Sequence, residues 1–255
     1  MREHGDVGED ASVLSRTAAE LDAVLSWGPG PEDVADVRLG SDSRPLVVVL
    51  HGGFWRPTYD RTHVRPMTEA IAAAGWTVVA PEYRREPGRP DLTCDDVRVA
   101  LRVLPVELRG RHDGRVVVMG HSAGGHLALW AAAAAPASGL HATIALAPVA
   151  DLLAADRERL GDGAVGDFLG GAASARGDLD PVRMASPATS VLLLHGVDDE
   201  IVPLRQSQAY ADAHPLVHPG SPLRAIPGAG HFDLIDPLSP QWADVVAALV
   251  EASAA

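Results

Sequence analysis

Ser122 stands at the centre of Gly120-His121-Ser122-Ala123-Gly124, directly after the apolar run RVVVM (115–119) and before the helix-forming stretch HLALWAAAAA (126–135). A chain that passes from strand to helix in so few residues needs small side chains two places either side of its apex, and the apex side chain is then lifted clear of the sheet. With serine at the apex, the chemistry is attack on a carbonyl carbon. A serine hydroxyl is a weak nucleophile near neutral pH, so it requires a base, and the base requires a group to orient it.

His231, in PGAGHFDLIDP (227–237), is the candidate base. Eleven histidines are present, and His231 is singled out by its place on a two-glycine turn after the last strand, downstream of the serine. The orienting acid comes from LLLHGVDDEIVP (192–203), where Asp198 and Asp199 are both available. Serine, then acid, then histidine is the chain order used by one large class of serine hydrolases. A fourth element, VVVLHGGFWRP (47–57), places Gly52 and Gly53 after a strand, where backbone N–H groups can approach a developing oxyanion. The expected donors are the N–H of Ala123 and that of Gly53 or Phe54. Trp55 and Phe232 are expected at the substrate pocket, beside those donors and beside the base. His51, His121 and His195 are read as structural, and Tyr83, Arg84 and Arg85 as either structural or part of the pocket rim.

On these motifs the chain resembles the α/β-hydrolases over about residues 40–250, and is similar to the esterase/lipase branch that includes the kynurenine formamidases, or arylformamidases. That branch carries an H-G-G-x-W oxyanion motif, matched by His51, Gly52, Gly53, Phe54 and Trp55, and a serine turn like GHSAGGHLA. Its H-G-x-x-D-x-x-V-P pattern matches His195, Gly196, Asp199, Val202 and Pro203, which selects Asp199 over Asp198 as the acid. The related hormone-sensitive-lipase branch has H-G-G-G, and Phe54 departs from it. The resemblance implies hydrolysis of a small carboxylic ester or N-formyl amide through an acyl-enzyme, with no cofactor. Two other readings stay open: a non-catalytic small-molecule binder on the same fold, and a peptidase-like hydrolase.

These residues need a frame. Near-continuous apolar runs at 46–50, 76–80, 115–119, 142–147, 191–195 and 222–226 predict central strands of a parallel sheet covered on both faces. Helices are predicted over 64–74, 91–108, 123–135, 204–213 and 239–252, with an N-terminal helix near 11–25 and early edge strands around 34–39. The sequence therefore predicts one α/β domain over residues 1–255, an α/β-hydrolase fold with a mostly parallel central sheet flanked by helices. Residues 151–189 are too long for a plain connection and are expected to form a small helical lid.

Composition narrows the partners. A formal net charge of -13 argues against nucleic acid or an anionic membrane surface, and no apolar run approaches the roughly 20 residues of a membrane span. The first residues, acidic and without an apolar core, lead us to expect a cytoplasmic protein. The chain contains no lysine, which removes Walker-type phosphate loops and Schiff-base chemistry. Cys94 is the sole cysteine, so no intrachain disulfide or cysteine-based metal cluster is possible. No metal site is expected, and GDGAVG (161–166) follows charged residues instead of a strand, so it is not read as a dinucleotide site. Oligomeric state and the natural substrate are not encoded in any motif.

Overall fold

In the computed structural model, residues 9–215 and 223–254 are described. Eight strands form one sheet: β1 (Ala23–Ser26), β2 (Val34–Arg38), β3 (Leu46–Leu50), β4 (Val78–Pro81), β5 (Val116–His121), β6 (Leu140–Leu146), β7 (Ser190–Gly196) and β8 (Leu223–Ile226), in the order β1-β2-β4-β3-β5-β6-β7-β8. From β4 to β8 all neighbours are parallel, while β1 and β2 are antiparallel additions at one edge. The predicted strand over 222–226 is seen from Leu223 onward, and Pro222 lies outside the described residues.

Alternation along the central strands sorts their side chains into two cores. Leu46, Val48 and Leu50 of β3 and Val116 and Val118 of β5 face one side, where α2 (Pro90–Glu107) and α3 (Ala123–Ala134) cover them. Val47, Val49, Val117 and Met119 face the other, beneath α1 (Arg65–Ala73) and α7 (Trp242–Ala254). On α2 the buried Cys94, Val97, Leu101 and Leu104 follow helical spacing, so the sole cysteine is a core residue, and burial pushes its thiol up to about 12. α6 (Arg205–Ala213) flanks β7 and β8.

The helix predicted near 11–25 does not form: a short 3-10 turn at Ser12–Ser15 is followed by β1. The alanine-rich helix propensity here is overridden by β1 pairing with β2, register Ala23 to Val37, and by Arg38 donating to the carbonyls of Ala19 and Glu20. The 151–189 segment carries α4 (Leu152–Arg157), α5 (Leu160–Leu169) and two 3-10 turns. Asp151 caps α4 through the Ala154 N–H, and Phe168 of α5 packs into the α2/α3 core.

The strand order reverses between β3 and β5. Connections leave these two strands in opposite directions along the sheet, opening a crevice at their carboxyl ends, which is where ligands bind in open parallel sheets.

Candidate active site

Four loops meet at that carboxyl edge, after β3, β5, β7 and β8. Ser122 follows β5 with φ 56° and ψ -119°, a strained backbone for a residue with a Cβ, and α3 begins at the next residue. Close packing enforces the turn. A Cβ on Gly120 would fall 2.1 Å from the Gly124 carbonyl oxygen, and one on Gly124 would fall 2.1 Å from that of Leu50. Glycine at both places is therefore a steric requirement of seating α3 directly on β3 and β5.

The turn after β3 holds three successive residues at positive φ, Gly53 at 109°, Phe54 at 51° and Trp55 at 54°. This curl carries the chain past Ser122: a Cβ on Gly52 would sit 3.2 Å from the Ser122 Cβ. Among the described residues, the N–H groups of Gly53 and Phe54 donate to no other group, and α3 begins at Ala123 without a side-chain cap. Both sets of donors remain open to a ligand. Behind the turn, His51 is wholly buried, facing Glu82 at 2.9 Å through Nε2, while Tyr83 stacks on its ring and donates to its carbonyl at 2.6 Å.

Asp199, after β7, is buried, and its Oδ1 accepts the N–H groups of Ile201 and Val202 at 2.9 and 2.7 Å. Its Oδ2 accepts from His231 Nδ1 at 2.7 Å. Burial pushes the Asp199 carboxyl up, but hydrogen bonds from His195 and His231 and the His231 charge outweigh it and hold the group well below the usual carboxylate range. Asp198, next door, is exposed. His231 follows β8, and its carbonyl accepts from His121 Nε2 at 3.0 Å, with the two imidazoles 4.4 Å apart. Burial, then the neighbouring His231, hold His121 well below the ordinary histidine range, so it stays neutral and serves as a fixed donor.

Ser122 and His231 open on one cavity of about 120 Å³, lined also by Gly53, Phe54, His121 and Phe232 and closed by Leu14, Tyr59, His63 and Ile201. The structure thus brings together Ser122, Asp199, His231, Gly53, Phe54, Ala123 and Phe232. Trp55 does not join them: it is 3% exposed, stacked on Phe168 at 4.5 Å and edge-on to His126 at 5.1 Å. The positive-φ run turns Phe54 toward the cavity and drops Trp55 into the core behind it. Arg84 and Arg85 are likewise not at the rim, being paired with Asp96 and Glu82. Within 161–166, Gly161 serves packing, since a Cβ there would fall 2.8 Å from the Phe54 ring, and Gly163 has φ of 85°.

Leu14, Tyr59, His63 and Ile201 line the cavity without any motif to announce them. His63 is buried, its Nδ1 without a partner among the described residues, and burial with the nearby His51 pushes it down to about 4, so it is neutral. A lone histidine in RTHV carries no sequence signal for this role.

Sheet order, serine turn and site position define an α/β-hydrolase. Residues 33–213 match the BD-FAE family, and the chain belongs to that family. The chain is 34% identical over 150 residues to the non-reducing polyketide synthase trt4 of Aspergillus terreus, which is 52% of this chain and 6% of that protein. It is 36% identical over 114 residues to the non-reducing polyketide synthase Preu3 of Preussia isomera, 38% of this chain and 4% of that one. It therefore spans only a small part of these relatives. Among solved structures, esterase B from Lactobacillus rhamnosis aligns with a TM-score of 0.76 at 20% identity, covering 95% of this chain and 90% of that one. A truncated carbohydrate esterase from gut microbiota aligns at 0.75 and 15% identity, covering 94% and 100%. A thermophilic esterase of Thermogutta terrifontis aligns at 0.69 and 20%, covering 90% of each chain. These likenesses concern the fold.

Proposed function

We propose that the protein is a serine hydrolase of small, uncharged carboxylic esters. The observation that carries this reading is the Asp199–His231 hydrogen bond of 2.7 Å beside a strained Ser122 that shares a small cavity with the His231 ring. Ser122 attacks the ester carbonyl as His231 Nε2 takes its proton, and Asp199 holds the imidazole with Nδ1–H inward and stabilises the imidazolium. The N–H groups of Ala123 and of Gly53 or Phe54 receive the oxyanion; one such donor is typically worth about 2.7–4 kcal/mol. His231 then protonates the leaving alkoxide. Water, activated by the same histidine, cleaves the acyl-enzyme and restores Ser122.

Cavity size and lining support a short, neutral substrate. About 120 Å³ is well below the roughly 300–1,000 Å³ of sites for drug-sized ligands. Leu14, Phe54, Ile201 and Phe232 make it largely apolar, and among the described residues no arginine lines it. N-formyl-L-kynurenine carries a carboxylate that finds no countercharge in that lining, so the formamide reading stands second to the ester.

The test is kcat/KM for p-nitrophenyl acetate and N-formyl-L-kynurenine on one preparation, with Ser122→Ala as control. We expect faster ester turnover, lost by at least about 10³-fold in the variant. Preference for the formamide would transfer the assignment to arylformamidase chemistry, and cleavage of peptides alone to a peptidase. Binding of small esters without turnover, and no labelling of Ser122 by a fluorophosphonate, would make the protein a receptor on a hydrolase fold.

A further inference from the structure

Glu9 ties together the two loops that carry Asp199 and His231. Its Oε1 accepts the N–H of Glu200 at 2.7 Å, and its Oε2 accepts the N–H of His231 at 2.6 Å. The approach is close, since a Cβ on Gly230 would fall 3.2 Å from that Oε2. With the His231 carbonyl held by His121, both backbone groups of His231 are fixed by side chains distant in sequence.

The rest of this N-terminal segment docks without help from Glu9. Val13 is buried in the α1/α7 core, and the Arg16 guanidinium grips the Asp236 carboxylate at two points, one of them 2.8 Å. Between these anchors Leu14 forms part of the cavity wall. Glu9 meanwhile shares a surface recess with Asp10, Asp198, Glu200 and Asp233. Among these acidic neighbours the Glu9 carboxylate is held by its two backbone donors, the N–H groups of Glu200 and His231.

We propose, on the hydrolase reading above, that Glu9 to Arg16 is a working part of the active site. Glu9 is a positioning residue that sets the His231 imidazole against Ser122 through the main chain, and Leu14 limits the length of the acyl group. Catalysis is sensitive to such placement because a small displacement of a base costs rate without weakening ground-state binding.

The experiment uses the full chain with Glu9→Ala, Glu9→Gln and Leu14→Ala. For Glu9→Ala we expect kcat on p-nitrophenyl acetate to fall about tenfold or more with KM within about twofold, and fluorophosphonate labelling of Ser122 to slow by the same factor. Glu9→Gln keeps one acceptor oxygen and should lie between. Leu14→Ala should raise the hexanoate-to-acetate ratio of kcat/KM by about fivefold or more. Amide exchange at Glu200 and His231, measured in a Ser122→Ala background, should quicken when Glu9 is removed. Unchanged exchange overturns the clamp. A lower melting temperature with kcat and labelling unchanged reduces Glu9 to a structural tie and overturns its positioning role, and an unchanged chain-length ratio overturns that of Leu14. A wild-type chain that neither turns over esters nor labels overturns the hydrolase reading instead, while exchange still decides whether Glu9 holds the loops.

Discussion

Asp198 and Asp199 are chemically identical neighbours with opposite environments. Asp199 is buried, with Oδ1 filled by two backbone N–H groups and Oδ2 facing His231, whereas Asp198 is exposed and, among the described residues, is engaged through its N–H, which donates to the Ala229 carbonyl. Replacing Asp199 by asparagine keeps the shape but puts an amide against the imidazole, which favours the wrong tautomer. Asp199→Asn is expected to lower kcat about 10⁴-fold, and Asp198→Asn to leave it within about threefold. Steady-state kinetics of the two variants on p-nitrophenyl acetate check this, and the reverse ranking would move the acid by one position. The residue pattern alone left both aspartates open, and only the H-G-x-x-D-x-x-V-P likeness separated them. Their different burial supplies the physical reason.

Elements whose residues are buried on both faces were the most legible. β3, β5, β6 and β7 are near-continuous apolar runs, and each lies within two residues of the bounds its sequence predicts. β1 departs from the predicted helix because its side chains are mostly exposed, leaving pairing with β2 to decide its conformation over a helix-favouring sequence. Cavity walls are illegible for another reason: Leu14 and Tyr59 come from irregular segments, placed by contacts that no periodicity announces, the distant Arg16–Asp236 pair for one and the close approach of Gly53 for the other. Glycine at the serine turn, by contrast, could be read directly, because the strand-to-helix junction leaves no volume. Gly124→Ala is expected to destabilise the fold by about 3 kcal/mol, since its Cβ would meet the Leu50 carbonyl oxygen at 2.1 Å. Gly171→Ala, where nothing lies within 4 Å, should change stability by less than about 0.5 kcal/mol. Urea unfolding of both variants measures the contrast, and equal midpoints would show that α3 can shift off β3 at no cost.

Buried neutral histidines make the stability of the whole molecule depend on mild acid. Burial is the leading cause in each case: it pushes His63 and His126 down to about 4 and holds His121 well below 6.5. The unfolded chain takes up these protons near pH 6.5 and the folded chain does not until about pH 4, so stability is full above 6.5 and falls as pH drops through that window. The Asp199 and Glu82 carboxyls are held low as well, but there the lowering favours the charged form, because hydrogen bonds and neighbouring charge outweigh burial; their contribution is present above the ordinary carboxylate range near pH 4 and is lost only below it. Between pH 7.5 and 5 the histidines therefore dominate. His63 and His126 should each remove about 2 kcal/mol by pH 5, a large share of a typical 5–15 kcal/mol. The urea midpoint is expected to fall by about 1 M or more over this range with the slope unchanged. His126 can be isolated, because its ring packs against Trp55 and Phe168 and its Nε2 donates to the Leu179 carbonyl at 2.8 Å. His126→Phe keeps the aromatic contacts but leaves that carbonyl without its donor, which should cost about 1–3 kcal/mol at pH 7.5. Its further loss at pH 5 should nevertheless be smaller than that of the wild type by about 2 kcal/mol. An identical fall in both proteins would remove His126 as a source of the acid sensitivity and leave His63 and His121 to account for it.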